Sequence, residues 1–170
     1  LEANPGTAEA GRFAAFRAAG VNRLSIGIQS FSAEKLRALG RIHDRNQALR
    51  AVEFAQRLFD NFNLDLMYGL PQQTLHEAQD DIALAMDIAP PHLSLYQLTL
   101  EQNTEFAKFP PPLPDDDRVA EMQDWIDDQT AAAGYRHYEI SAYARPGREC
   151  RHNLNYWGFG DYLGVGPGAH

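Results

Sequence analysis

The chain has 170 residues, 44% of them hydrophobic and 22% charged, the make-up of one folded domain with room for a hydrophobic core. Lys and Arg number 15 against 23 Asp and Glu, a formal net charge of −8, which argues against a nucleic-acid surface and against binding to an anionic membrane. No window holds about 18 consecutive apolar residues, so no transmembrane helix is expected. The single cysteine, Cys150, excludes an internal disulfide and points to a reduced, cytoplasmic location.

The chain opens at Leu1 with no initiator Met or signal-peptide pattern and stops at His170 inside a glycine-rich turn, so a piece of a larger protein is expected. Leu1-Glu2 reads as the tail of a strand, followed by a helix over 7–19 with Gly20 as its cap. Residues 23–30 (RLSIGIQS) read as a buried strand. Ser32 offers an N-cap to a short helix over 35–39, and 46–59 carries apolar residues at helical spacing. Residues 62–68 (FNLDLMY) form the next strand, stopped by Gly69 and Pro71. Thr74 and Glu77 make a capping box for a helix that runs to Ile88 and ends at Pro90-Pro91. A third strand covers 92–100, and Pro110 to Pro114 is a stiff connector. The helix over 115–133 has an acidic first turn and Gly134 at its end, and a fourth strand spans 135–143.

Strands alternating with helices at about 30–40 residues per unit predict an α/β fold with a parallel sheet and right-handed crossovers. Neither GxGxxG nor GxxxxGK[ST] is present, so the dinucleotide fingerprint and the P-loop are missing. An arc of a βα barrel, TIM-like, fits better. In such barrels the chemistry sits at the C-terminal ends of the strands, where the sequence places Glu2, Gln29, Asp65 and Thr99, with Glu139 and Ser141 on the last strand.

Asp65 interrupts an otherwise apolar central strand, and a buried carboxylate is costly unless paired or bound to a ligand. It reads equally as the partner of an arginine such as Arg41. Gln29 reads as a loop tie or a ligand contact, and Arg41 as a carboxylate clamp or a solvated side chain. His43 is expected at the surface. Cys150 and His152 are too few for a zinc site. Residues 152–157 (HNLNYW) pack two amides, two aromatics and a histidine into one turn, which suits either a structural turn, a flat aromatic ligand or a heme ligand. The glycines of 164–168 permit close backbone approach, without the helix a phosphate site needs.

In order along the chain, Glu2-Ala3-Asn4-Pro5-Gly6-Thr7, the run 25–31 (SIGIQSF), Leu39-Gly40-Arg41, the run 63–71 (NLDLMYGLP), HNLNYW and Gly164 to His170 resemble the radical S-adenosylmethionine (SAM) proteins related to oxygen-independent coproporphyrinogen III oxidase. HNLNYW resembles the heme-chaperone branch of that family. The resemblance implies that residues 1–170 are the central and C-terminal part of one radical SAM core domain, a partial barrel in which a [4Fe-4S] cluster and S-adenosylmethionine sit at the strand C-termini. The family holds its cluster with CxxxCxxC, which this chain lacks, and Cys150 cannot replace three thiolates. It also implies that Glu2, Gln29, Arg41 and Asp65 contact S-adenosylmethionine. Carboxylates suit its ammonium and ribose hydroxyls, a guanidinium suits its carboxylate, and an amide can donate and accept.

In the intact proteins, one electron from the cluster would cleave S-adenosylmethionine to methionine and a 5′-deoxyadenosyl radical. Three functions stay open. One is a chaperone that binds heme, with His152 as a candidate contact, and delivers it to apoproteins. Another is an oxidase that converts porphyrinogen propionates to vinyl groups. The last is a non-catalytic barrel module. An electron donor for the cluster is an implied partner, and this chain alone is expected to carry out no radical chemistry.

Overall fold

The computed structural model describes residues 1–7 and 10–166. The start of the expected first helix at residues 8 and 9, and the final residues 167–170, lie outside the described residues. In chain order the elements are β1 (Glu2–Ala3), a 3-10 turn (Pro5–Thr7), α1 (Ala10–Ala18), β2 (Leu24–Gln29), α2 (Ala33–Ala38), α3 (Arg45–Leu58) and β3 (Phe62–Tyr68). They continue with α4 (Leu75–Ile88), β4 (His92–Gln97), α5 (Glu105–Lys108), α6 (Asp116–Ala132), β5 (Arg136–Glu139), β6 (Ala142–Ala144) and α7 (Arg151–Trp157).

The sheet order is β1-β2-β3-β4-β6-β5. The first four strands are parallel and lie in chain order, as an arc of a barrel requires. Right-handed crossovers then put the connecting helices on one face. That face buries the alternating residues of each strand: Leu24, Ile26 and Ile28 of β2, Leu64 and Leu66 of β3, and Leu93 and Leu95 of β4. Ala48, Ala51, Val52 and Ala55 of α3, Ile82 and Ala85 of α4, and Met122 and Ile126 of α6 close the layer over them. The opposite face is polar, and the site lies there.

The final strand departs from the sequence expectation. Residues 135–143 do not form one parallel strand. Ile140 and Ser141 make a turn, and β5 and β6 pair antiparallel around it, with β6 antiparallel to β4. Glu139 and Ser141 therefore flank a hairpin turn instead of a parallel strand end, and Ser141 donates from N and Oγ to Glu139 Oε1 at 3.1 and 3.3 Å. HNLNYW, for which a structural turn was one of the open readings, lies within the short helix α7, which has no buried residue.

Two buried charged groups fasten the loops that follow β2 and β3. Asp81 on α4 accepts from Phe31 N at 2.8 Å and from the Ser30 hydroxyl, so it pins the backbone immediately after Gln29. Lys35, 2% exposed, donates to Pro71 O and Gln72 O at 3.4 and 3.2 Å and pairs with Glu77 at 3.2 Å. Gly40 at φ +67 closes α2 in a Schellman arrangement, with Arg41 N bonded to Leu36 O and Gly40 N to Arg37 O, and this fixes where Arg41 leaves the helix. Replacing Asp81 by Ala orphans the Phe31 N–H, and the unfolding free energy measured in urea should fall by about 2 kcal/mol; an unchanged urea midpoint would contradict this role.

Candidate functional site

The parallel register brings polar positions of four strands side by side. Glu2 lies opposite Ser25, Ser25 opposite Asn63, and Gly27 opposite Asp65. Asn63 lies opposite His92, Asp65 opposite Ser94, and Met67 opposite Tyr96. A bulge interrupts β2 between Gly27 and Gln29, and Gln29 takes φ +62. This left-handed conformation re-aims the side chain. The Gln29 amide turns back over Gly27, where a Cβ would stand 2.9 Å from Nε2, beside the Asn4 side chain. Gln29 and Asp65 thus face the same side of the sheet.

Asp65 is half-buried and firmly held. Asn63 Nδ2 donates to Oδ1 at 2.6 Å and Ser25 Oγ to Oδ2 at 3.1 Å. Burial pushes its carboxyl up from the ordinary range; the Asn63, Ser94 and Ser25 hydrogen bonds pull it back, and the Glu2 carboxylate raises it further. Tyr96 is the point on which the sequence candidates converge. Burial raises its hydroxyl pKa, the nearby Gln29 amide pulls it back, and the charges of Asp65, Arg41 and Glu2 also act on it. Glu2 and Arg41 are solvent-exposed at the rim, and Gln29 is only 4% exposed. Gln29 Oε1 is buried with no hydrogen-bond partner.

Behind Asp65 runs a chain of buried hydrogen bonds. His92 Nδ1 lies 2.6 Å from Asn63 Oδ1, and its Nε2 2.7 Å from the Tyr138 hydroxyl. Ser94 Oγ donates to Asn63 Oδ1 at 3.2 Å, and Asn63 Nδ2 donates to Ser25 Oγ at 2.7 Å. The Tyr138 hydroxyl accepts from Cys150 N and Asn153 Nδ2 at 3.1 and 3.3 Å. Burial, helped by the Arg23 charge, drives the His92 pKa from 6.5 down to about 3, so the ring is neutral.

Asp65 and Gln29 face the same side of the sheet, Glu2 opens β1 two strands from Asp65, and Arg41 leaves α2 at the exposed edge; the charges of Asp65, Arg41 and Glu2 are felt at Tyr96, and His152 is not among them. His152 is exposed on α7, edge-on to Tyr162 with ring centroids 4.7 Å apart. His43 is not at the surface: at 5% exposed, its Nε2 lies 3.1 Å from Ile28 O and braces the end of β2. Asn63 and His92 were missed in the sequence, where Tyr96 reads only as core or pocket lining. Asn63 and Asp65 are alternate residues of one strand, as are His92, Ser94 and Tyr96, so polar period-two runs were the available signal.

The donor set suits a ligand with hydroxyls or an ammonium at one end and a carboxylate at the other. The lack of a side chain at Gly27 makes room for the Gln29 amide, and the orphaned Oε1 of that amide is the hydrogen-bonding vacancy. A metal cluster is another matter. The chain has one cysteine, buried at the head of α7, and among the described residues no group of three or more His, Cys, Asp or Glu could hold a metal ion. A separate groove of about 710 Å³ lies near Asp80, Asp87 and Arg45, and its carboxylates would repel an anionic ligand end.

Residues 1–85, half of the chain, match the family model described as the radical SAM superfamily. The chain belongs to that superfamily. It is 57% identical over its whole length to a protein of Escherichia coli K12 named heme chaperone HemW, spanning 45% of that protein, and 55% identical to the one from Haemophilus influenzae, again spanning 45%. It is 47% identical to a mouse protein named radical S-adenosyl methionine domain-containing protein 1, mitochondrial, spanning 40% of it. The chain thus covers less than half the length of these relatives. Among solved structures, the coproporphyrinogen III oxidase HemN of E. coli, described as a radical SAM enzyme, superposes with a TM-score of 0.78 at 24% identity, over 92% of this chain and 37% of the other. That likeness fixes the barrel-arc fold. The radical SAM superfamily is one of S-adenosylmethionine and a [4Fe-4S] cluster, and the thiolates for such a cluster are not among these residues. No helix among the described residues is long and apolar enough to cross a membrane.

The buried His92 has a consequence for acid stability. Below pH 6.5 the unfolded chain takes up a proton that folded His92 refuses until about pH 3, so stability falls with falling pH in that window, by up to about 1.4 kcal/mol per unit. Asp65 and Asp81, whose carboxyls burial raises, oppose this trend closer to the carboxylate range. Urea midpoints should therefore drop between pH 6.5 and about 5, and His92→Gln should flatten the drop; a flat profile in the unsubstituted protein would contradict it.

Proposed function

We propose that these residues are the central and C-terminal part of the radical SAM core of a heme chaperone, and that Glu2, Gln29, Arg41 and Asp65 hold S-adenosylmethionine in it. The observation that carries this reading is the buried, unpartnered Oε1 of Gln29 beside Tyr96 and on the Asp65 face of the sheet. An orphaned acceptor in a held side chain costs stability unless a ligand donates to it. Asp65 and Glu2 accept from the ammonium or ribose hydroxyls, Arg41 takes the carboxylate, and Gln29 supplies an acceptor to the remaining donors. S-adenosylmethionine is the group whose one-electron cleavage gives the family its radical chemistry.

High identity over the whole chain to proteins named heme chaperones supports the heme part of the proposal. On α7, His152 presents an exposed imidazole, and Tyr156, Trp157 and Phe159 are exposed around the same turn. An imidazole nitrogen can ligate heme iron, and exposed aromatic rings suit a flat porphyrin. The same reading includes heme-accepting apoproteins, an electron donor for the cluster, and a cytoplasmic setting.

In the full-length protein, Gly27→Ala places a methyl against the end of the Gln29 side chain, which can move at little cost to the fold. S-adenosylmethionine affinity measured by calorimetry should weaken about tenfold, and an unchanged affinity would count against the assignment. Heme titration of the full-length protein should shift the Soret band, and His152→Ala should weaken heme binding about tenfold. Absence of any Soret shift, or vinyl products formed from coproporphyrinogen, would favour the oxidase reading instead.

A further inference from the structure

We infer that His92 and Asn63 are a positioning pair for the site, and that they orient the Asp65 carboxylate toward the ligand through a hydrogen-bond chain that begins at the head of α7. The inference rests on the reading of Asp65 as a ligand contact. The donor and acceptor pattern admits one direction only. The Asp65 carboxylate is an acceptor, so the Asn63 amide must turn its NH2 toward Oδ1, at 2.6 Å. Asn63 Oδ1 then faces the other way and accepts from Ser94 Oγ and from His92 Nδ1. With a proton on Nδ1, neutral His92 accepts at Nε2 from the Tyr138 hydroxyl. Tyr138 in turn takes the N–H of Cys150 and the amide of Asn153. A flipped Asn63 would set its carbonyl oxygen against both Asp65 and Ser25, while facing its NH2 to two donors. The Nδ1–H tautomer of His92 and the orientation of Asn63 that donates to Asp65 thus require each other, and each holds the other in place. His92 and Tyr138 reach Asp65 through Asn63 and make no direct hydrogen bond to it.

Charged and titratable groups face this chain from several sides: Glu2 of β1 and Tyr96 of β4 toward Asp65, Arg41 toward Tyr96, and Arg23 toward His92 and Tyr138. The test measures S-adenosylmethionine binding to the full-length protein as a function of pH, alongside thermal unfolding. His92→Phe should weaken binding about tenfold and move the acid limb of the binding profile to higher pH, because Asp65 loses its ordered donor. His92→Gln can accept from Tyr138 and donate to Asn63, and should restore both. If His92→Phe fails to fold, Tyr138→Phe removes only the outer hydroxyl and should shift the same limb in the same direction. Loss of thermal stability with an unmoved acid limb would overturn the inference. Asp65→Ala separates the two levels. If it binds as the unsubstituted protein does, the assignment of Asp65 itself falls; if it abolishes binding while the His92 and Tyr138 variants bind normally at every pH, only the positioning pair falls.

Discussion

A carboxylate in the middle of an apolar strand sets the terms for the rest of this molecule. Asp65 sits between Leu64 and Leu66, both fully buried against the helices, and its own side chain is turned to the opposite face. Leaving water there is unfavourable for a charge unless donors replace it. Asn63 and Ser25 replace it in part, from the same strand and the adjacent one. Their geometry depends on a parallel register without slip, because a shift by one residue would send Asp65 into the helix layer and Leu64 onto the polar face. The fold and the site are therefore specified by the same pairing.

Around that strand, the loops at the C-terminal end are held by buried polar and charged groups as well as by the packing of Phe31, Leu36 and Leu70. Asp81 grips the backbone after Gln29, Lys35 bridges to the loop after β3, and His43 ties to the last turn of β2. These contacts keep the bulge and the left-handed Gln29 in place, and with them an acceptor that the protein does not satisfy internally. Conformations of this kind persist where the surroundings over-determine them and where a ligand uses them. The helix-lined side of the sheet holds the hydrophobic core, and the polar side carries the residues proposed for recognition.

Much of this was legible in the sequence. The strand 62–68 lies where its apolar alternation and the following Gly69 and Pro71 put it, and both partners of the Thr74–Glu77 capping box meet as expected. Local chemistry decides those elements. The antiparallel hairpin was not legible, because residues 135–143 carry no Gly, Asn or Asp at the turn, and Ile140-Ser141 reads as strand. HNLNYW hid a helix because seven residues are too few to show a period. Four candidate site residues were readable from family-like motifs, but Asn63 and His92 showed only as weak polar alternation within their strands, and their pairing with each other emerges from register, a property of neighbouring strands. His43 was misplaced for the same reason: its burial depends on the carbonyl of Ile28, which no local pattern reveals.

The central claim is that side chains from β1, β2, β3 and the loop after α2 close on one ligand at the polar face. Hydrogen–deuterium exchange of the full-length protein with and without S-adenosylmethionine tests it most directly. The account predicts joint protection of segments 29–31, 65–68 and 96–98 on addition of the ligand. Protection confined to the acidic groove around Asp80 and Asp87, with those three segments unaffected, would contradict it.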